Sequence, residues 1–257
     1  MSSVQPGILI SVIIPAYNSA TYISTMLDSI CVQTYANYEI LVAYDTKSTD
    51  DTLEILQRYA ENNQLIIYPS NDESVGQARN RDLHIAKGDY IIFMDADDII
   101  VPTYLEDLLD VLYENPDLDV IGSRRIDTNE TQVRDTYYMA LQTVKDIAVF
   151  DNITALHLWI VGKEFSVTPW SYLVRKDYLK INNILFPNYS NGEDQVWVVQ
   201  LFLYTNRIGI NRKLGYVHIL HPFSLSQHSI SYKNIGIIYA VPKKIFSTIL
   251  FQHHSFT

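Results

Sequence analysis

Short runs of aliphatic and β-branched residues alternate with helical patterns through the first 125 residues. ILISVIIP (8–15), YEILVAY (38–44), QLIIY (64–68), YIIFM (90–94) and DVIG (119–122) are apolar almost without interruption. A strand with one wet face would alternate instead, so these runs predict strands buried on both sides. Between them, 22–32, 49–60, 75–86 and 104–113 carry apolar residues at three-to-four spacing and predict helices. In KSTDDT (47–52), Ser48 or Thr49 is suited to cap the second helix, with Asp50 and Asp51 in its first turn. Strand alternating with helix predicts an α/β fold with a mostly parallel, Rossmann-like central sheet and helices on both faces.

Beyond Arg125 the rhythm breaks. Residues 127–150 read as polar and irregular, DNITALHLWIVG (151–162) as a helix capped by Asp151, and NGEDQVWVVQLFLY (191–204) as a turn leading into an apolar helix. GYVHIL (215–220) predicts one more strand.

The 257 residues are 47% hydrophobic and 19% charged, enough for a full core. A formal charge of −10 excludes phosphate-backbone tracking, so nucleic acid is not an expected partner. Cys31 is the lone cysteine, which excludes an internal disulfide and fits a cytoplasmic protein. No apolar run reaches the roughly 18 to 20 residues that span a bilayer. In IGIIYAVPKKIFSTILF (235–251) a proline and two lysines interrupt an apolar stretch, leaving a packed helix or peripheral contact at the inner face of the cell membrane as expectations for the tail.

One short segment resists a bland account. FMDADDII (93–100) ends a buried strand in Asp95, Asp97 and Asp98, whose mutual repulsion requires a cation, a set of donors, or exposure. In parallel sheets, ligands bind beyond the carboxyl ends of the strands, where these three fall.

With these residues in hand the chain resembles the inverting glycosyltransferases of family 2, which have the GT-A fold. SVIIPAYN (11–18), LDSICVQTY (27–35), STDDT (48–52), ARN (78–80), AKGDYIIFMDADD (86–98) and GED (192–194) follow that family's order and spacing. HPFSLS (221–226) is similar to its late segment. The resemblance implies a nucleotide-diphospho-sugar donor, of UDP type, and a glycan or lipid-linked acceptor in surface polysaccharide biosynthesis, with hexosyl or N-acetylhexosaminyl transfer. It implies Asp194 as the general base and Glu193 as an acceptor ligand or brace. Asp95, Ala96 and Asp97 match the Asp-X-Asp motif, where Asp97 binds Mn²⁺ or Mg²⁺ most directly and Asp95 holds the ribose or the metal's water shell. His221 is a further metal ligand or diphosphate donor by the same resemblance. Pro15, Tyr17, Asp45 and Arg79 match nucleotide contacts; the alternative for Arg79 is an exposed helix residue paired with Asp82. Trp170 is an acceptor-side aromatic or a core residue.

At Asp45 the chain departs from the family. VAYDTKSTDD (42–51) has one aspartate where the family has two, in a turn one residue longer. Counted from the strand, Asp45 matches the aspartate that contacts the uracil ring, since insertions are cheaper in turns than in buried strands. The altered turn motivates an alternative, a nucleotide-sugar-binding protein without transfer activity, which would have little use for Asp194. A dinucleotide-dependent oxidoreductase is discounted for want of a Gly-X-Gly-X-X-Gly turn. The expected organisation is a nucleotide-sugar-binding half (1–125), an acceptor-binding and catalytic half with helices (126–220), and a tail (221–257).

Overall fold

The computed structural model describes residues 7–61, 65–72, 74–188 and 192–221. The apolar stretch 235–251, residues 222–226 of the HPFSLS segment and Asn191 lie outside them. Among the described residues no helix is long and apolar enough to cross a membrane.

The continuous apolar runs form the centre of one sheet. β1 (Ile10–Ala16) pairs in parallel with β2 (Tyr38–Asp45) and β4 (Tyr90–Phe93), and β2 pairs in parallel with β3 (Leu65–Ser70). Alternate residues of each strand enter two separate cores. Val12 and Ile14 face a cluster that includes Met26 and Leu27 of α1 (Ile23–Cys31), Leu56 of α2 (Thr52–Ala60) and Leu105 of α4 (Tyr104–Glu114). Ile13, Leu41 and Phe93 face Leu83 of α3 (Val75–Ile85) and the large side chains of α8 (Glu193–Tyr204), with Trp197 fully buried. Helices on both faces explain why these strands carry no polar alternation.

The second half extends the same sheet. With β5 (Ile99–Ile100), β6 (Val120–Asn129) and β8 (Tyr172–Arg175), which leads into α7 (Lys176–Ile181), its order is β3-β2-β1-β4-β8-β6-β9-β5, and β7 (Ile147–Asp151) pairs with β9 (Arg207–Leu220). β8 runs antiparallel to both β4 and β6, and the two-residue β5 runs antiparallel to β9. Strand β6 passes through residues 125 and 126, the expected boundary between the two halves of the domain.

Several local expectations are corrected. Residues 127–150 are not irregular: they hold the end of β6, α5 (Val133–Leu141) and most of β7. Strand β9 begins at Arg207 instead of Gly215, because its polar centre has partners remote in sequence. Asn211 donates to the Asp107 carbonyl at 2.8 Å, Lys213 pairs with Asp107 at 2.7 Å, and Arg212 pairs with Glu164 at 3.1 Å. Helix α2 starts at Thr52, without Ser48 or Thr49 as a side-chain cap. Asp50 instead accepts from the Thr52 hydroxyl at 2.6 Å and the Ala20 amide at 2.9 Å, tying two loops together. The Asp151 cap appears as expected: it accepts from the Thr154 amide at 2.9 Å, at the start of α6 (Asn152–Ile160).

Candidate active site

The parallel strands end on one edge of the sheet, and the candidate residues gather there. Pro15 lies at the end of β1, and Tyr17, just beyond, is 57% exposed. Asn18, with φ of 46°, accepts from the Thr49 amide at 2.8 Å, while its own amide donates to the Ser48 hydroxyl. The loops after β1 and β2 are thereby held side by side. Asp45 closes β2 and accepts from the Lys47 amide at 2.9 Å, a local turn bond that ties down one carboxylate oxygen.

The three aspartates after β4 have three different fates. Asp95 accepts from Arg79 Nη2 at 2.8 Å. Asp98 is 1% exposed, accepting from the Tyr216 hydroxyl at 2.7 Å and the Ile219 amide at 2.9 Å. Burial, with Asp95 beside it, pushes the Asp98 carboxyl upward. Tyr216 also accepts from the Asp95 amide at 3.3 Å, so Asp98 fastens the turn to β9. Sequence could not show this role for Asp98, because both partners lie over 100 residues away. Among the described residues Asp97 accepts no hydrogen bond from another side chain; burial and the Asp95 charge push its carboxyl upward, against the pull of His221 and of a backbone amide. Ala96, between Asp95 and Asp97, is 7% exposed and belongs to the core cluster that includes Leu105 and Tyr216.

Arg79 differs most from expectation. Its pairing with Asp82 is not formed; Arg81 takes Asp82 instead, at 2.9 Å. The Arg79 side chain is 3% exposed and joins Asp95 to Asp194 through its two terminal nitrogens, at 2.8 and 2.9 Å. The Phe93 and Phe186 rings flank its guanidinium carbon, with centroids 5.9 and 5.3 Å away. A guanidinium so enclosed has little surface to offer a nucleotide.

Glu193 and Asp194 open α8 behind Gly192, whose φ of 94° is a backbone region that favours glycine. Both acids sit in the first helical turn, where the helix dipole favours negative charge. Burial nevertheless pushes Asp194 up to about 6, with Asp95 and Glu193 adding to the rise and Arg79 opposing it. Such a group is ionised at neutral pH yet close enough to it to exchange a proton.

His221, 7% exposed, brings in a residue that sequence reasoning missed. Its Nδ1 lies 2.7 Å from Glu130 Oε1, and the Tyr22 ring covers it at 4.2 Å. Its Nε2 is buried without a hydrogen-bond partner and lies 3.5 Å from Asp97 Oδ2. An orphaned imidazole nitrogen beside an underused carboxylate fits a hard-to-intermediate divalent cation. Among the described residues no three carboxylate, histidine or cysteine groups form a complete metal cage. A cation here would need oxygens from a ligand or water.

Trp170 is a core residue, not an acceptor platform. It is 2% exposed and stacks on Tyr216 at 4.3 Å with rings 7° apart. It therefore backs the tyrosine that holds Asp98.

Residues 11–177 match the family model for glycosyl transferase family 2. The uncharacterized glycosyltransferase YibD of Escherichia coli K12 is 30% identical over 231 residues, covering 88% of this chain and 66% of that protein. The poly(ribitol-phosphate) beta-N-acetylglucosaminyltransferase TarS of Staphylococcus aureus MW2 is 30% identical over 212 residues, 81% of this chain and 35% of the enzyme. A crystal structure of S. aureus TarS 1–349 in complex with UDP-GlcNAc superposes with a TM-score of 0.75 at 26% identity, over 94% of this chain and 66% of that one. The chain thus spans from about a third to about two thirds of these relatives. The sheet is that of the GT-A fold, and the chain belongs to glycosyl transferase family 2.

Proposed function

We propose that this chain carries a metal-dependent inverting glycosyltransferase, moving a sugar from a UDP-sugar to a hydroxyl of a glycan or lipid-linked acceptor in surface polysaccharide assembly. One observation carries the reading: Asp194 and Asp95 share a single buried guanidinium at 2.9 and 2.8 Å, which sets a carboxylate suited to take a proton beside the motif suited to hold a donor. Family membership and the UDP-GlcNAc-bound neighbour support the donor class.

In this mechanism Asp194 accepts the acceptor hydroxyl's proton as that oxygen attacks the anomeric carbon, on the face opposite the diphosphate. The bond to the diphosphate oxygen breaks as the new glycosidic bond forms, UDP departs, and the anomeric configuration inverts. Glu193 orients the acceptor's hydroxyls, and Pro15, Tyr17 and Asp45 hold the base, with the exposed Tyr17 ring as a stacking face. Asp97 and His221 would hold a divalent cation, Mn²⁺ in preference to Mg²⁺ because one donor is an imidazole. When bound, it would neutralise charge developing on the leaving diphosphate.

A thermal-shift panel of UDP-glucose, UDP-galactose, UDP-GlcNAc and GDP-mannose, each with and without Mn²⁺, tests the donor reading. A ligand that binds only the folded state raises the melting temperature by mass action. A UDP-sugar should do so more strongly with Mn²⁺; stabilisation by none of the four would count against a nucleotide-sugar site.

A further inference from the structure

Arg79 is a buried cation whose position serves neither solvent nor an evident ligand. Its Nη1 and Nη2 each hold one carboxylate, Asp194 on α8 and Asp95 beyond β4, residues 99 positions apart in the chain. Phe93 and Phe186 close over the guanidinium. Arginine keeps its charge in proteins and presents its donors in a rigid fork, so this group fixes both the separation and the orientation of the two carboxylates. A flexible lysine could hold one of them but not both with the same geometry.

We infer that Arg79 is a positioning residue that brackets the base to the donor motif, so that Asp194 and the donor-side turn keep one relative placement. The inference rests on the assignment of Asp194 as base and replaces the nucleotide contact expected for Arg79. The charged groups acting on Asp194 are Arg79, Asp95 and Glu193. Arg79 favours the ionised form and the other two oppose it, which gives the bracket a signature of opposite sign at its two ends.

Arg79→Gln and Asp95→Asn, compared with Arg79→Lys, test the bracket in the full chain. Turnover would be followed as UDP release, UDP affinity with Mn²⁺ by calorimetry, and Asp194 ionisation by carboxyl ¹³C NMR. Arg79→Gln should lower kcat about 100-fold, the scale of a misplaced reacting group, while UDP affinity stays within about threefold. The titration of Asp194 should move to higher pH in Arg79→Gln and to lower pH in Asp95→Asn, with Arg79→Lys between Arg79→Gln and the wild type.

Weakened UDP binding with an unmoved titration would make Arg79 a donor contact and overturn the inference. An equal loss of rate at every pH would make it merely structural, with the same result. Should Arg79→Gln fail to fold, the Asp95→Asn and Arg79→Lys titrations still decide the matter. The base assignment fails separately: Asp194→Asn turning over near the wild-type rate removes the base, whereas an inactive Asp194→Asn alongside unmoved Arg79 variants removes only the bracket.

Discussion

On one side of the carboxylate cluster, protein groups meet the charge. Arg79 gives both terminal nitrogens to Asp194 and Asp95, and aromatic rings close over it. On the other side, Asp97 faces a histidine nitrogen that has no hydrogen-bond partner, and the histidine is itself held from behind by Glu130. The first arm is self-sufficient and suited to a proton acceptor whose geometry must not change. The second is incomplete and suited to a cation that arrives with its ligand. Asp98 belongs to neither arm, since its two donors come from β9 and its role is to close the turn.

Substitutions on the two arms should separate chemistry from binding. Asp194→Asn keeps the shape but removes the proposed proton acceptor, and should lower kcat by about 10²- to 10⁴-fold, the usual worth of a general base, with UDP affinity nearly unchanged. A comparable loss of UDP affinity would erase the distinction. Asp97→Ala should weaken UDP binding by about tenfold or more in Mn²⁺ and abolish the difference between calorimetry with and without the metal. Equal affinity in both conditions for the wild-type protein would leave the second arm without a cation.

The base also predicts a pH dependence. As the proposed base, Asp194 would have to be ionised to act, and burial pushes its carboxyl up to about 6. The value of kcat/KM should therefore fall about tenfold per unit as pH drops below about 6 and level off above it. A flat profile across that range would argue that another group takes the proton. Asp98→Ala should act on stability instead, by about 1–3 kcal/mol, because it leaves the Tyr216 hydroxyl and the Ile219 amide without their acceptor. Chemical denaturation would read this directly, and an unchanged midpoint would argue against a turn-closing role for Asp98. The smallest effect is expected for Trp170→Phe, which should cost some melting temperature through the lost stack on Tyr216 while leaving the acceptor KM unaltered.

The sequence was most legible where structure is local. Buried strands such as Tyr90–Phe93 declare themselves by continuous apolar residues, and the Asp151 cap by its place before a helical period. The lower legibility of residues 127–150 and of Arg207–Leu220 has a physical cause. Strand β9 pairs with β6, β5 and β7, and its Asn211, Arg212 and Lys213 find partners in Asp107 and Glu164, so no local pattern marks it as a strand. The same limit applies at the site. The Asp-X-Asp turn and the Gly-Glu-Asp helix start were visible as motifs, but their union through Arg79 spans 99 positions and could not be read. Glu130 is one acid among many until His221 is brought against it. Trp170 gives no sign in sequence of whether it lines a surface or a core.

The central claim is direct displacement at the anomeric carbon with Asp194 as the base. The anomeric configuration of the product, read from its proton NMR coupling after reaction with an α-linked UDP-sugar, tests it most directly. A β-glycosidic product is predicted; an α-glycosidic product would contradict the mechanism.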